Sequence, residues 1–259
     1  MLNPDQTLCL QPDGKTPAGK PAIFRPAKAA RPGQENLSGA VGNLGAENLG
    51  KVEMLKIWGR TNSSNVQKVL WCCTELGLEF ERVDWGGKFG GNDDPAYRAM
   101  NPNGLVPTVK DGDLIIWEAN TVMRYLCATR NGAKLYPADP GKRSHVERWM
   151  DWNLSRLTPP MAALLWGYYR TPPEQRDAAA LGKSRETAIM LLTMLDNQVA
   201  KQDYLAGSEF TLADIGPGIW AHRWNSLPID RPKLPHFDSW FGRVSKRPGF
   251  VAHIDGPVS

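Results

Sequence analysis

The chain has 259 residues, of which 41% are hydrophobic and 22% charged, and a formal net charge of +4. These proportions exclude wholesale disorder, and no apolar run approaches the roughly 18 residues a membrane-spanning helix needs. The positive excess is small and spread along the chain, so neither nucleic acid nor an anionic membrane is implied as a partner.

Four cysteines (Cys9, Cys72, Cys73, Cys127) make neither a disulfide framework nor a C-x-x-C pair, and histidines at 145, 222, 236 and 253 show no metal-ligand spacing. The chain therefore reads as a metal-free protein of a reducing compartment, the cytoplasm. Its length allows one or two domains.

Residues 1–53 contain 6 Pro and 7 Gly and no sustained apolar period, so they read as a disordered tail or an over-extended translation start ahead of Met54. They lack the continuous apolar stretch of a secretory signal and the acid-poor composition of a mitochondrial presequence. From Met54 the pattern changes. Leu55–Trp58 is a short apolar strand, followed by a polar turn, Gly59 to Ser64. Next comes a helix whose Val66, Val69, Leu70, Cys73 and Leu76 share a stripe and which Gly77 stops. A second strand at 80–84 leads through a Gly-rich loop to a short helix over Pro95–Met100. Strands at 106–109 and 113–116 flank Asp111-Gly112, a hairpin signal. A helix at 118–129 completes the order β-α-β-α-β-β-α, a small mixed sheet with helices packed on it.

Asn131-Gly132 and the run from Pro137 to Gly141 make a linker, after which no strand pattern recurs. Helices are predicted at 142–157, 161–169, 176–201, 211–226 and 235–246, punctuated by Thr158-Pro159-Pro160, Thr171-Pro172-Pro173, Gly207 and Pro228. Residues 54–132 and 142–259 thus form an α/β domain and an all-α bundle large enough for its own core. Trp149, Trp152, Trp220, Trp224 and Trp240 suit that core.

Three features of the first half bear on chemistry. Pro107 enters a strand, where it is either an ordinary strand entrance or part of an edge facing a ligand. A cis Val106-Pro107 bond would turn the Val106 amide and carbonyl outward to pair with a peptide-like backbone. Glu118 opens a helix, where an acid stabilises the helix dipole but can also receive the ammonium end of an amino-acid ligand. Ser63-Ser64 opens the first helix, where Ser is a preferred cap, yet a hydroxyl backed by helix amides also suits a thiolate.

The stretch from Ile57 through Ser64-Asn65 to Val69 resembles the start of bacterial glutathione S-transferases of the serine type (theta, delta and beta classes). So do Asn101-Pro102-Asn103-Gly104-Leu105-Val106-Pro107-Thr108-Val109 and Trp117-Glu118-Ala119-Asn120-Thr121. Phe210-Thr211-Leu212-Ala213-Asp214-Ile215 is similar to the family's N-capping box. The resemblance runs over residues 54–255, in order and spacing.

It implies a thioredoxin-like α/β N-terminal domain, an all-α C-terminal domain, glutathione as cosubstrate with no other cofactor, and a homodimer. Carried over by position, Ser64 is the thiol-activating residue. Asn65, Val106, Pro107, Glu118 and Ala119 bind glutathione. Ala119 departs from the family's hydroxyl at that position, and Gly104 stands where some classes place a His. Losing one charge-assisted hydrogen bond costs about 1.5–3 kcal/mol, or roughly ten- to a hundredfold in affinity. Met161, Leu165, Trp166 and Tyr169 are candidates for an apolar second-substrate pocket, with core packing as their other reading.

The expected activity is conjugation of the glutathione thiolate to an apolar electrophile. Two competing readings share the scaffold: a non-enzymatic binding or interaction protein, and a glutathione-dependent peroxidase or reductase. No cysteine occupies the position of Ser64, and Cys72 and Cys73 read as core, which disfavours the reductase.

Overall fold

A computed structural model describes residues 22–25 and 54–258. Five strands form one sheet in the order β1-β3-β2-β4-β5: β1 (Ala22–Phe24), β2 (Leu55–Trp58), β3 (Phe80–Val83), β4 (Thr108–Asp111) and β5 (Leu114–Trp117). Strands β2 and β3 run parallel across the helix α1 (Ser64–Glu75), while β4 and β5 add as an antiparallel hairpin. The helices α2 (Pro95–Met100) and α3 (Ala119–Thr129) complete the α/β half, in the thioredoxin-like order expected from the sequence.

The hairpin turn lies one residue later than the Asp111-Gly112 reading. Asp111 pairs with Leu114, so Gly112 and Asp113 form the loop, and Gly112 takes the positive φ (58°) such a turn demands. The absence of regular structure expected over residues 1–53 fails at Ala22–Phe24, which pairs antiparallel with Phe80–Arg82 of β3. Phe24 stacks on Phe80, ring centroids 4.9 Å apart, and lies at the same distance from His253. A three-residue apolar strand has too short a period to be read amid Gly and Pro. The rest of that expectation, and Cys9, lies outside the described residues.

The second half is helical: α4 (Pro140–Trp152), α5 (Thr158–Tyr169), α6 (Ala178–Val199), α7 (Leu212–Ser226), α8 (Pro235–Val244) and α9 (Pro248–His253). The break expected at Thr158-Pro159-Pro160 does not occur. A π-helical turn at Asn153–Leu157 joins α4 directly to α5, and both prolines fall in the first turn of α5, where their missing N–H groups leave carbonyls of the π turn without a helical donor. Helix α9 went unread because its six residues carry too little periodicity.

Two apolar clusters organise the molecule, and α1 supplies both. Val66, Val69, Leu70 and Cys73 pack under the sheet with Ile57, Val109 and Val122. Trp71 and Cys72 face the helical cluster, which includes Trp149, Trp220, Trp224 and Trp240. Trp71 is fully buried, its ring edge-on to Phe250 and its indole N–H donating to Glu75 Oε1 (3.0 Å). A Cβ on Gly249 would sit 2.2 Å from the Trp71 ring, so only glycine lets α9 approach this closely. Removing that indole would cost about 3–5 kcal/mol. Glu75 also accepts from Arg247, whose guanidinium lies 3.9 Å from the centre of the Phe210 ring.

Candidate functional site

The site begins where β2 ends. A Cβ on Gly59 would meet the Val66 side chain at 2.3 Å, so glycine is what lets the chain turn back over α1. The turn closes with Ser63 N–H donating to the Arg60 carbonyl. Ser63 is the residue ahead of α1, Ser64 is the first residue within it, and no side chain caps the helix. The capping reading of these serines therefore fails, and the half-buried Ser64 hydroxyl is left at the positive end of the helix.

One turn further on, Lys68 is buried to 2% exposure, its ammonium donating to Asn65 Oδ1 at 3.1 Å. Burial lowers its pKa to about 8, against the attraction of Glu118, with Arg223 adding repulsion. Arg223, from α7, donates to the Asn62 carbonyl (3.1 Å) and to Gln67 Oε1 (2.9 Å), so the helical half holds the turn from behind.

The opposite wall is the loop before β4. The Val106-Pro107 bond is cis, and among the described residues Val106 makes no backbone hydrogen bond. A buried polar network fixes this loop. Tyr97 and Asn101 both donate to the Leu105 carbonyl (2.7 and 2.9 Å), while Thr108 is tied to both side chains. Asn92 donates to the Gly104 carbonyl and leaves its buried Oδ1 without a partner.

Glu118 precedes α3 with φ 68° and makes no capping bond. A left-handed backbone is uncommon for a residue with a side chain and costs on the order of 1–3 kcal/mol. No capping hydrogen bond accounts for it. Its exposed carboxylate lies within electrostatic reach of Lys68, and Ala119 behind it is buried.

Ser63, Ser64, Asn65, Asn92 and Val106 line a cavity of about 300 Å³, facing Thr158, Ala162, Leu165, Trp166 and Trp220 of the helical half. Of the four apolar candidates, Leu165 and Trp166 reach this cavity. Met161 does not, because it is buried to 1% within the helical core. Tyr169 also stays outside the lining, its hydroxyl donating to the Ser226 carbonyl at 2.5 Å. Glu118, Ala119 and Pro107 lie outside the lining too.

A second cavity of about 380 Å³, lined by Thr61, Gly87, Lys88 and Phe89, shares Arg60, Asn62 and Arg170 with the first. Sequence reading missed Asn92, Thr158 and the arginines. For Arg223 the one signal was a charge between the core tryptophans Trp220 and Trp224. For Asn92 there was none.

Chemically, the arrangement offers a hydroxyl at a helix N-terminus, a buried cation one turn below, an unpaired backbone edge and an apolar wall. No histidine lines the cavity. Cys72 and Cys73 are buried. Burial pushes the Cys73 thiol above 9 and away from reactivity, and Cys72 is raised by its contact with Cys127 and by burial.

A family model described as glutathione S-transferase, N-terminal domain, matches residues 62–129, and one for the C-terminal domain matches residues 157–248. The chain is 38% identical to glutathione S-transferase GstB of Escherichia coli over 208 residues, 80% of this chain and all of that protein. It is 30% identical to glutathione S-transferase 3 of Zea mays, over 76% of this chain and 91% of that protein. Among solved structures, the theta class glutathione S-transferase of Xanthomonas axonopodis pv. citri with glutathione bound matches with TM-score 0.76. The two are 43% identical, over 79% of this chain and 99% of the other.

Proposed function

The chain belongs to the glutathione S-transferase family and is a glutathione transferase, and we propose that Ser64 activates its thiol. The Ser64 hydroxyl donates a hydrogen bond to the glutathione sulfur. The amides of α1 and the buried charge of Lys68 favour the thiolate over the thiol. The backbone of Val106, ahead of Pro107, pairs with the cysteinyl residue, Asn65 lies beside the sulfur, and Glu118 receives the γ-glutamyl ammonium. The Ala119 amide takes the α-carboxylate in place of the family's hydroxyl.

Glutathione is then the only group the reaction requires beyond the electrophile, whose apolar body rests on Leu165 and Trp166. The thiolate forms a bond to the electrophilic carbon, and the leaving group departs with its electron pair. We further propose that residues 54–132 carry glutathione and 142–259 the second substrate. The enzyme works as a cytoplasmic homodimer. Among the described residues no helix is long and apolar enough to cross a membrane.

The observation that carries the assignment of Ser64 is its uncapped hydroxyl, opening α1 inside the same cavity as Val106. Lowering a thiol pKa from about 8.5 by about two units needs roughly 2.7 kcal/mol of selective stabilisation. A charge-assisted hydrogen bond and a helix terminus together supply that amount.

Ser64→Ala should therefore lower kcat about ten- to a hundredfold near pH 6.5 and move the pH–rate profile upward, while retention on immobilised glutathione persists. Full activity at pH 6.5 would make Thr61, Ser63 or Asn65 the activating group. Retention on glutathione by the wild type with no conjugation of any electrophile would favour the binding-protein reading.

A further inference from the structure

The cavity that contains glutathione's proposed seat is lined with cations, which an apolar substrate does not call for. Arg60, Arg170 and Arg223 all line the cavity that contains Ser64, and Arg60 and Arg170 continue into the neighbouring cavity beside Lys88. No aspartate or glutamate lines either cavity. The guanidiniums stand close enough to repel one another. Burial and Arg170 lower the pKa of Arg60, and burial with Arg170 and Arg60 brings Arg223 to about 10.

Their settings differ. Arg223 is buried, lies over the Trp220 ring (5.0 Å) and is committed to the turn through Asn62 and Gln67. Arg170 is exposed at the end of α5, 5.9 Å from the centre of the Trp166 ring. Trp166 itself is left 57% exposed. An open indole beside the Arg170 guanidinium, in a cavity without acids, offers stacking surface and positive potential together.

We propose that the electrophile is an anion: a compact aromatic or unsaturated carboxylate whose negative group is received by Arg60 and Arg170 while its apolar body lies on Trp166 and Leu165. Arg223 supplies background potential rather than direct contact. This rests on the transferase reading and narrows its substrate class. Glutathione is itself anionic, but the groups assigned to it, Val106 and Glu118, belong to the sheet half, whereas Arg170 and Arg223 come from the helical half; Arg60, in the β2–α1 turn, belongs to the sheet half but extends into the second cavity beside Lys88.

The test compares a chlorodinitrobenzoate with its uncharged amide, which share the reacting ring carbon. In each the sulfur forms a C–S bond, the C–Cl bond breaks, and chloride leaves with the electron pair. The wild type is expected to prefer the carboxylate by about tenfold or more in kcat/KM, a preference that shrinks with added salt. Arg170→Gln and Arg60→Gln should each cut the carboxylate-to-amide ratio about tenfold.

Equal or better use of the amide by the wild type overturns the inference without needing any variant. A variant that raises the KM for glutathione and keeps the ratio assigns the cluster to glutathione, and also overturns it. Failure to conjugate either probe overturns the inference, whereas the transferase reading fails only if no electrophile of any class is conjugated.

Discussion

Lys68 links the site to stability. Burial lowers its pKa from 10.5 to about 8, so between those values the unfolded chain holds a proton that the folded protein has released. Stability from this group therefore rises with pH across that window. Below about pH 8 both states are charged and the full burial penalty is present. Lys68→Met should raise stability to denaturant near pH 7, and its advantage should shrink as pH rises toward 10.5. A gap that stays constant with pH would show that Lys68 does not titrate as a buried cation. The same substitution should slow conjugation, because the cation beneath the thiolate is gone.

That Ser64 and Val106 line one cavity was legible in sequence because each sits at a junction of elements, where Ser and Pro are conspicuous. Arg60 and Arg170 were not, because an arginine in a turn or at a helix end reads as ordinary solvated charge. Only the packing of α5 and α7 against the β2–α1 turn gathers them.

At the level of elements, the start of α7 is the plainest case of a local signal realised in three dimensions. Thr211 and Asp214 form the capping box read from the sequence. The structure gives Asp214 more than that role, since its carboxylate also accepts from Leu205 N–H (3.0 Å) and from the Trp240 indole (2.9 Å). Burial raises its pKa to about 6 despite these donors. Between about pH 4 and 6 the folded state holds a proton the unfolded one lacks, so this group's contribution falls as pH rises through that window.

Asp214→Ala leaves Leu205 N–H, Thr211 N–H and the Trp240 indole without an acceptor. It should cost at least about 3 kcal/mol, a fall in Tm of roughly 6–12 °C. A fall below about 2 °C would mean water replaces the carboxylate. The start of α7 was readable from its Thr211 cap, whereas the caps Asp139 and Asp177 start α4 and α6 two residues away from the predicted positions. The α4–α5 junction was not readable, because prolines in a first helical turn look the same in sequence as prolines that end a helix.

For the whole molecule, the proposed dimer would use α3 and α4. Arg124 of α3 pairs with Asp151 of α4 at 3.1 Å, its Nε stands 3.9 Å from Glu147 Oε1 without a hydrogen bond, and Trp117 and Leu154, beside the ends of these helices, are exposed. Sedimentation at micromolar concentration should give twice the chain mass, and Arg124→Glu should shift it toward the monomer. A wild-type monomer would overturn the dimer.

The short strand β1 has a consequence of a different kind. It occupies the outer side of β3, so the row of peptide N–H and C=O groups that β3 would otherwise present is already spoken for. A chain beginning at Met54 keeps both apolar clusters except for Phe24 but uncovers that row, a template onto which another molecule's strand can add. Such a chain should lose little in Tm, yet light scattering should reveal slow, concentration-dependent growth beyond any dimer, absent from the full chain. Equal scattering by both chains over days would show that β3 needs no such guard.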